Sequence, residues 1–382
     1  MIAVAALALA ATIALCLRLR APHHAEKAAA QPAIPHVMQP ADPEARRVAD
    51  EGLRLQARGD LSAAAVDLLA ATYRDSSLAD AQRALGSMYL KADLRKEAAA
   101  RFSRAVAAGD DSAETSRLLG AALTADTTQF AEAERALRHA LDLEPGNVPA
   151  LLDLADLLVI RGQASQAQAL YQQAVTLRPH DADAQARFGG YLVERGLQTQ
   201  AREHLRAALT EDPNNDYAWY QAGMLAFATG DTVRAVRAME QATSITPQTA
   251  EPWYALSRAY ARAGRRTDSE RAMRQFQALQ RLSQARNHLT EQVTYAPKDP
   301  HFRLDLARTY AQTGENAKAI FQYRACLRLQ PGNRIAAAEL RRLEAHLRAL
   351  GRYPDMDLFV TLVHGLTVSP AKSPSPPAGR SS

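Results

Sequence analysis

Residues 148–179 read VPALLDLADLLVIRGQASQAQALYQQAVTLRP, and the spacing of apolar residues in this stretch sets the fold. Leu151, Leu154 and Leu158 recur every three or four places, the period of one helix face. Gly162 interrupts the run, and Ala167, Tyr171 and Ala174 resume the same period. Pro179 closes it, because a proline disfavours helical backbone at the residue before it. The stretch therefore encodes two helices joined by a tight turn, each with one apolar stripe.

The same punctuation recurs on both sides. Pro145, Pro179, Pro213 and Pro247 stand 34 residues apart, and after a step of 50 come Pro297 and, 34 further on, Pro331. A fixed period of this size means a stacked array. A small residue recurs in the first helix of each unit: Gly52, Gly86, Gly120, Ala155, Gly189, Gly223, Ser257 and Ala307. Another recurs in the second: Ala64, Ala98, Ala133, Ala167, Ala201, Ala235, Ser269 and Ala319. Small residues let two antiparallel helices approach closely, while larger side chains nearby fill the seam. No unit can bury its apolar face alone, so each is stabilised by its neighbours.

The pattern resembles the tetratricopeptide repeat family. Its motif runs Trp, Leu-Gly, Tyr, Ala, an aromatic, Ala and Pro at fixed spacing. Trp219, Gly223, Ala235, Met239, Ala242 and Pro247 match it in one unit; Leu151, Leu154, Leu158, Gly162, Ala167, Tyr171, Ala174 and Pro179 match it in another. The resemblance covers residues 45–333, about three quarters of the chain, with units starting near 45, 79, 113, 148, 182, 216, 250 and 300. It implies an all-α, right-handed superhelical solenoid of about eight helix pairs, with Arg334 to Leu350 as a capping helix.

The step of 50 exceeds one period by 16 residues. From Thr267 to Tyr295 there is neither glycine nor proline, and Met273, Phe276, Leu279, Leu282, Ala285, Leu289 and Val293 hold one apolar stripe. This predicts one continuous helix over 267–293, lengthened by about 24 Å at 1.5 Å per residue. The chain accordingly divides into a repeat array (44–266), a long helix (267–295), a terminal repeat with its cap (296–350) and a tail (351–382). In that tail Leu358 to Leu366 is apolar enough to pack on the cap, and the Pro/Ser-rich end is expected to be disordered.

At the other end, Ile2 to Leu17 carries no charge and Arg18 and Arg20 follow it. Residues 1–20 are thus expected to be an uncleaved single-pass membrane anchor, and the positive flank favours the cytoplasmic side for the body. An atypical export signal, delivering the body to the periplasm, is the alternative. Residues 21–43, with five prolines, form a linker, and their His23, His24 and His36 lack the fixed geometry a metal needs.

No phosphate loop, dinucleotide fingerprint, zinc-protease motif, nucleophile elbow or calcium loop occurs. Two cysteines, Cys16 and Cys326, cannot build a disulfide framework or a cysteine zinc site. The histidines of the array are scattered over different units. No enzyme activity, cofactor or metal is expected, and the function has to be sought in a binding surface.

In the resembled family the first helices line a concave groove. Carried over by position, the sixth and seventh units place Tyr217, Tyr220, Met224, Tyr254, Arg258 and Arg262 toward it. Such aromatic and arginine side chains dominate interface hot spots. Trp219 and Trp253 fall at the family's structural position and are expected to pack between units. Two specialisations of the family are absent here. The carboxylate-clamp positions hold Ala49, Leu53, Arg83, Ser87, Leu152 and Asp156, and the asparagine-ladder positions hold Asp50, Ala84, Leu118, Asp153, Arg187, Gln221 and Ala255.

Charge is uneven. Residues 110–160 hold ten acids against three arginines, a net of −7, and residues 258–308 hold eleven basic side chains against five acids, a net of +6. The basic end, with Arg271, Arg274, Arg281 and Arg286 on the long helix, suits an acidic protein segment or anionic lipid heads. Its arginines are not interleaved with a stacking platform, which argues against nucleic acid. These features together predict a membrane-tethered scaffold or adaptor that binds a peptide or protein segment in the groove. The alternative is a periplasmic chaperone-like receptor for client chains, as in cytochrome c maturation or envelope assembly.

Overall fold

The computed structural model describes residues 42–349 and Leu362. Seventeen α-helices make up these residues, with turns between them and no strand among the described residues. The pairs are α1 (Pro43–Ala57) with α2 (Leu61–Arg74), α3 (Ala79–Lys91) with α4 (Arg95–Ala107), and α5 (Ala113–Leu123) with α6 (Phe130–Leu143). There follow α7 (Val148–Ile160) with α8 (Ala164–Leu177), α9 (Ala182–Glu194) with α10 (Gln198–Glu211), and α11 (Asp216–Ala228) with α12 (Thr232–Ile245). The seventh pair is α13 (Ala250–Arg262) with α14 (Arg266–Tyr295), the eighth α15 (Pro300–Gln312) with α16 (Asn316–Leu329), and α17 (Arg334–Ala349) caps the end. This is an all-α solenoid of the tetratricopeptide kind.

The periodic residues have definite tasks. Asn147, Asp181 and Asn215 each cap a first helix by accepting a hydrogen bond from the backbone N–H three residues on, at 3.1, 3.0 and 2.8 Å. The recurring proline also supplies a carbonyl. Trp219 Nε1 donates to the Pro213 carbonyl and Trp253 Nε1 to that of Pro247, both at 2.8 Å. Gln185 and Arg303 do the same to Pro179 and Pro297. The fourth residue of a first helix thus holds the turn that precedes it.

The small-residue phases are explained by contact. A Cβ on Gly120 would lie 2.5 Å from Leu137 Cγ, and one on Gly86 would lie 2.7 Å from the Phe102 ring. On the second helices Ala64, Ala98, Ala133, Ala167, Ala201, Ala235 and Ala319 are all fully buried. In the second unit, where the turn glycine is missing, Asp93 takes the left-handed backbone instead, at φ 56°. The third unit's extra residue is absorbed by a short 3₁₀ turn, Thr127–Gln129.

One continuous apolar core runs from Ala45 to Leu225. Beyond it the core divides. Ala226, Ala235, Val236 and Ala259 form one small cluster, and Met239, Ala255, Leu256 and Ala272 another. The terminal pair and cap have a core of their own, built on Leu304, Ile320, Tyr323, Cys326, Ala336 and Leu347. Helix α14 runs unbroken for 30 residues and separates that core from the rest. Arg286 on α14 reaches Glu315 at 3.0 Å, and Lys318 on α16 reaches Asp93 at 3.0 Å. The solenoid therefore winds so that its eighth unit meets its second.

The expected membrane location is corrected. No helix among the described residues is long and apolar enough to cross a membrane, α14 included, since its polar faces outweigh its stripe. The anchor at 1–20 and most of the 21–43 linker lie outside the described residues. Of the tail, only Leu362 is described. It is fully buried and belongs to the large first core, not to the cluster beneath the cap.

Candidate binding face of units six and seven

Helices α11 and α13 carry the residues assigned to the groove, and the structure divides them into three groups. Tyr254, Arg258 and Arg262 come together around a residue the repeat phase did not single out, Phe227. The Arg258 guanidinium lies 4.9 Å from the centre of the Phe227 ring and 5.8 Å from that of Tyr254. Arg262 lies 5.2 Å from the same Phe227 ring and donates from Nη1 to the Phe227 carbonyl at 2.8 Å. That carbonyl is in the last turn of α11, where a cation is favoured by the helix dipole. Tyr254 is 43% exposed and meets Phe276 of α14 at 5.2 Å. Arg258 has no carboxylate partner among the described residues. Two cations over one ring, beside a half-open tyrosine, form a ladder that presents aromatic faces and unneutralised charge together.

Tyr220 and Met224 behave differently. Both are half-buried against the cluster of Met239, Ala255, Leu256 and Ala272, with Trp253 and Tyr260 beside them. Burial pushes the Tyr220 phenol upward, with Glu251 and Glu194 adding to it. They form the seam between units six and seven.

Tyr217 faces the opposite way, toward unit five. Its phenol oxygen would sit 2.3 Å from a Cβ on Gly190, so the missing side chain there makes its berth. The ring stays 42% exposed while its hydroxyl end is tucked in. Burial, with Asp156 and Glu194 nearby, pushes its pKa up to about 12. Next to it is a polar network absent from the sequence reading. Arg187 on α9 bonds Asp153 at 3.2 Å, Asp156 at 3.0 Å and Asp183 at 3.0 Å. The Tyr171 hydroxyl donates to Asp156, and Arg117 bonds Asp153 from the other side at 3.2 Å. Burial pushes the Asp156 carboxyl up, against the pull of Arg187 and the phenol. The acidic block of residues 110–160 is thus partly neutralised by the next unit. The signal was present: Asp153 and Arg187 are 34 residues apart, hence stacked neighbours.

The four arginines of the long helix also separate. Arg271 pairs with Asp268 at 3.3 Å, and Arg286 is committed to Glu315 and Ser283. Arg274 and Arg281 are exposed, with no partner among the described residues. The stripe they flank is half-covered, with Leu279 its most buried member.

Among the described residues no three His, Cys, Asp or Glu side chains are grouped to hold a metal. The Cys326 thiol is buried, and burial pushes its pKa upward, away from the thiolate that reacts.

Comparison with known proteins agrees with the repeat. A model of the middle TPR-like domain of cilia and flagella-associated protein 70 matches residues 151–283, and a tetratricopeptide repeat model matches residues 276–344. These two matches support a tetratricopeptide assignment for the array. Among solved structures, MamA is 22% identical over 42% of this chain and 94% of its own, with a TM-score of 0.37. PilF of Pseudomonas aeruginosa is 22% identical over 54% of this chain and 94% of its own, with a TM-score of 0.45. YrrB, a TPR protein with an unusual peptide-binding site, is 19% identical over 47% of this chain and 92% of its own, with a TM-score of 0.36. No curated protein matches the chain.

Proposed function

We propose that this tetratricopeptide array is a protein-interaction scaffold that captures a peptide or protein segment on the face of units six and seven. The observation that supports it is the ladder of Arg258 and Arg262 over Phe227, with Tyr254 half-exposed beside it. Arg258 is held in place by the two rings, yet its charge is unpaired. A partner carboxylate can therefore bind it without first breaking an internal salt bridge, and little side-chain entropy remains to be lost. The preferred segment carries an acidic residue for Arg258 and an aromatic or aliphatic one for the Tyr254–Phe276 surface. Arg274 and Arg281, further along α14, extend the same preference for acidic character.

The test is selection of random displayed peptides on the immobilised full-length chain. The expected result is enrichment of acidic, apolar-containing peptides, among them a class that fails to bind the double variant Tyr254→Ala, Arg258→Ala. If every selected peptide bound the variant as well as the original chain, the site would lie elsewhere.

A further inference from the structure

A second feature lies on the other side of the same region, between the second helices α10 and α12. A cleft of about 430 Å³ opens there, at the low end of the range for ligand-binding clefts. Its floor is apolar: Leu205 and Leu209 from α10, and Trp219, Ala222 and Leu225 from α11. Its walls are cationic. Arg202 and Arg206 line it from α10, Arg234 and Arg237 from α12. One acid, Asp231, lines it too, and it is occupied in a 3.3 Å pair with Arg234. Arg202, Arg206 and Arg237 are exposed, and their guanidinium groups make no ion pair or hydrogen bond with other described residues.

Three unneutralised guanidinium groups around one apolar trough repel one another, and no ion pair or hydrogen bond to another described residue offsets that. We propose that this cleft is a second binding site, separate from the Tyr254–Arg258 ladder, for an extended acidic peptide segment that alternates carboxylates with apolar side chains. Charge complementarity favours this occupant: four guanidinium groups against one carboxylate leave the lining at +3. The spacing fits as well. Arg202 and Arg206 are four residues apart on a helix, a rise of about 6 Å. Residues two apart on an extended chain rise by about 6.6 Å. Carboxylates at alternate positions can therefore meet both arginines of one wall, while the intervening apolar side chains turn to the floor.

Trp219 makes the site readable. It lines the floor, and its bond to the Pro213 carbonyl fixes the ring. The chain has two tryptophans, so Trp253→Phe leaves Trp219 as the sole indole. A short synthetic peptide alternating aspartate with phenylalanine is titrated into the full-length Trp253→Phe chain, and calorimetry on the unmodified chain repeats the measurement. The expected result is a saturable change in Trp219 emission. Arg202→Gln, Arg206→Gln and Arg237→Gln together should weaken the binding reported by Trp219 at least about tenfold, and added salt should weaken it too. Equal affinity in the triple variant overturns the proposal. So does an absent Trp219 response, or a response to anionic phospholipid vesicles with none to the peptide. Loss of binding on Arg258→Ala, with the triple variant unaffected, would assign the peptide to the ladder and overturn the second site.

Discussion

The first five units and the region from unit six onward are built from the same repeat but held together differently. From Ala45 to Leu225 one apolar core passes through successive helix pairs, filled by Leu, Phe and Tyr against glycine and alanine. Beyond Leu225 the core breaks into two four-residue clusters and then a separate terminal core. Aromatic and charged contacts take over where apolar area thins: Arg258 and Arg262 on Phe227, Arg265 4.3 Å from the Tyr260 ring, and Arg286 on Glu315. The regular region joins its helix pairs through that single core. The irregular region leaves rings and guanidinium groups on the surface, because its own seams do not use them up. Within one array, the continuous apolar core and the exposed arginine–aromatic ladder thus fall in different stretches.

The largest effect should come from breaking the element that separates the two cores. Ser283→Pro places proline in the interior of α14, at a cost of about 3 kcal/mol or more. The terminal block should then melt apart from the array, giving two calorimetric transitions and a loss of helical circular dichroism. A single unshifted transition would mean that α14 does not couple the blocks. Next in size is overpacking of a helix-pair seam, in the regular region at Ala201 or beyond it at Ala235. Ala201 and Ala235 are fully buried, and Ala201→Leu or Ala235→Leu should cost about 1–3 kcal/mol. In the Ser283→Pro background, Ala201→Leu should lower the array's transition without moving the terminal block's.

The terminal block differs again in its response to acid. Arg308 donates to both oxygens of Glu339, at 3.0 and 2.9 Å, and Tyr323 donates at 3.1 Å. The Arg308 hydrogen bonds hold the Glu339 carboxyl below its ordinary value of 4.5, outweighing burial. A lowered folded pKa contributes stability that is present above pH 4.5 and is lost as pH falls through the folded value. The melting temperature of the terminal block should therefore fall on acidification below that point, and Glu339→Gln should flatten the decline. Equal slopes for both proteins would remove Glu339 from the account. The smallest effect on stability belongs to the ladder. Tyr254→Ala with Arg258→Ala should change stability by within about 0.5 kcal/mol, as exposed positions do, while abolishing peptide capture. A fall of many degrees in melting temperature would make these residues seam packing.

Much of this contrast can be read from the residues. Proline and glycine phase place the helix pairs because each residue has a backbone task, and the absence of both from Thr267 to Tyr295 marks the long helix. The site is less legible. Repeat position identifies Tyr254, Arg258 and Arg262, but not Phe227, which lies near the end of α11 and joins them only through the stacking of two units. Position alone also groups Tyr220 and Met224 with the ladder, although packing against Met239 and Leu256 takes up much of their surface. The cleft is invisible in any single unit. Its walls lie in two successive units, and only their stacking brings Arg202, Arg206 and Arg237 around one floor.

The central claim is that partner binding is concentrated where the continuous core ends. Hydrogen–deuterium exchange on the full-length chain, with and without a selected groove peptide, tests it most directly. The account predicts slow exchange in α3 to α9 whether or not peptide is present, and new protection on binding confined to α11, α13 and the first turns of α14. Protection appearing instead in α1 to α8, with α11 and α13 unchanged, would contradict it.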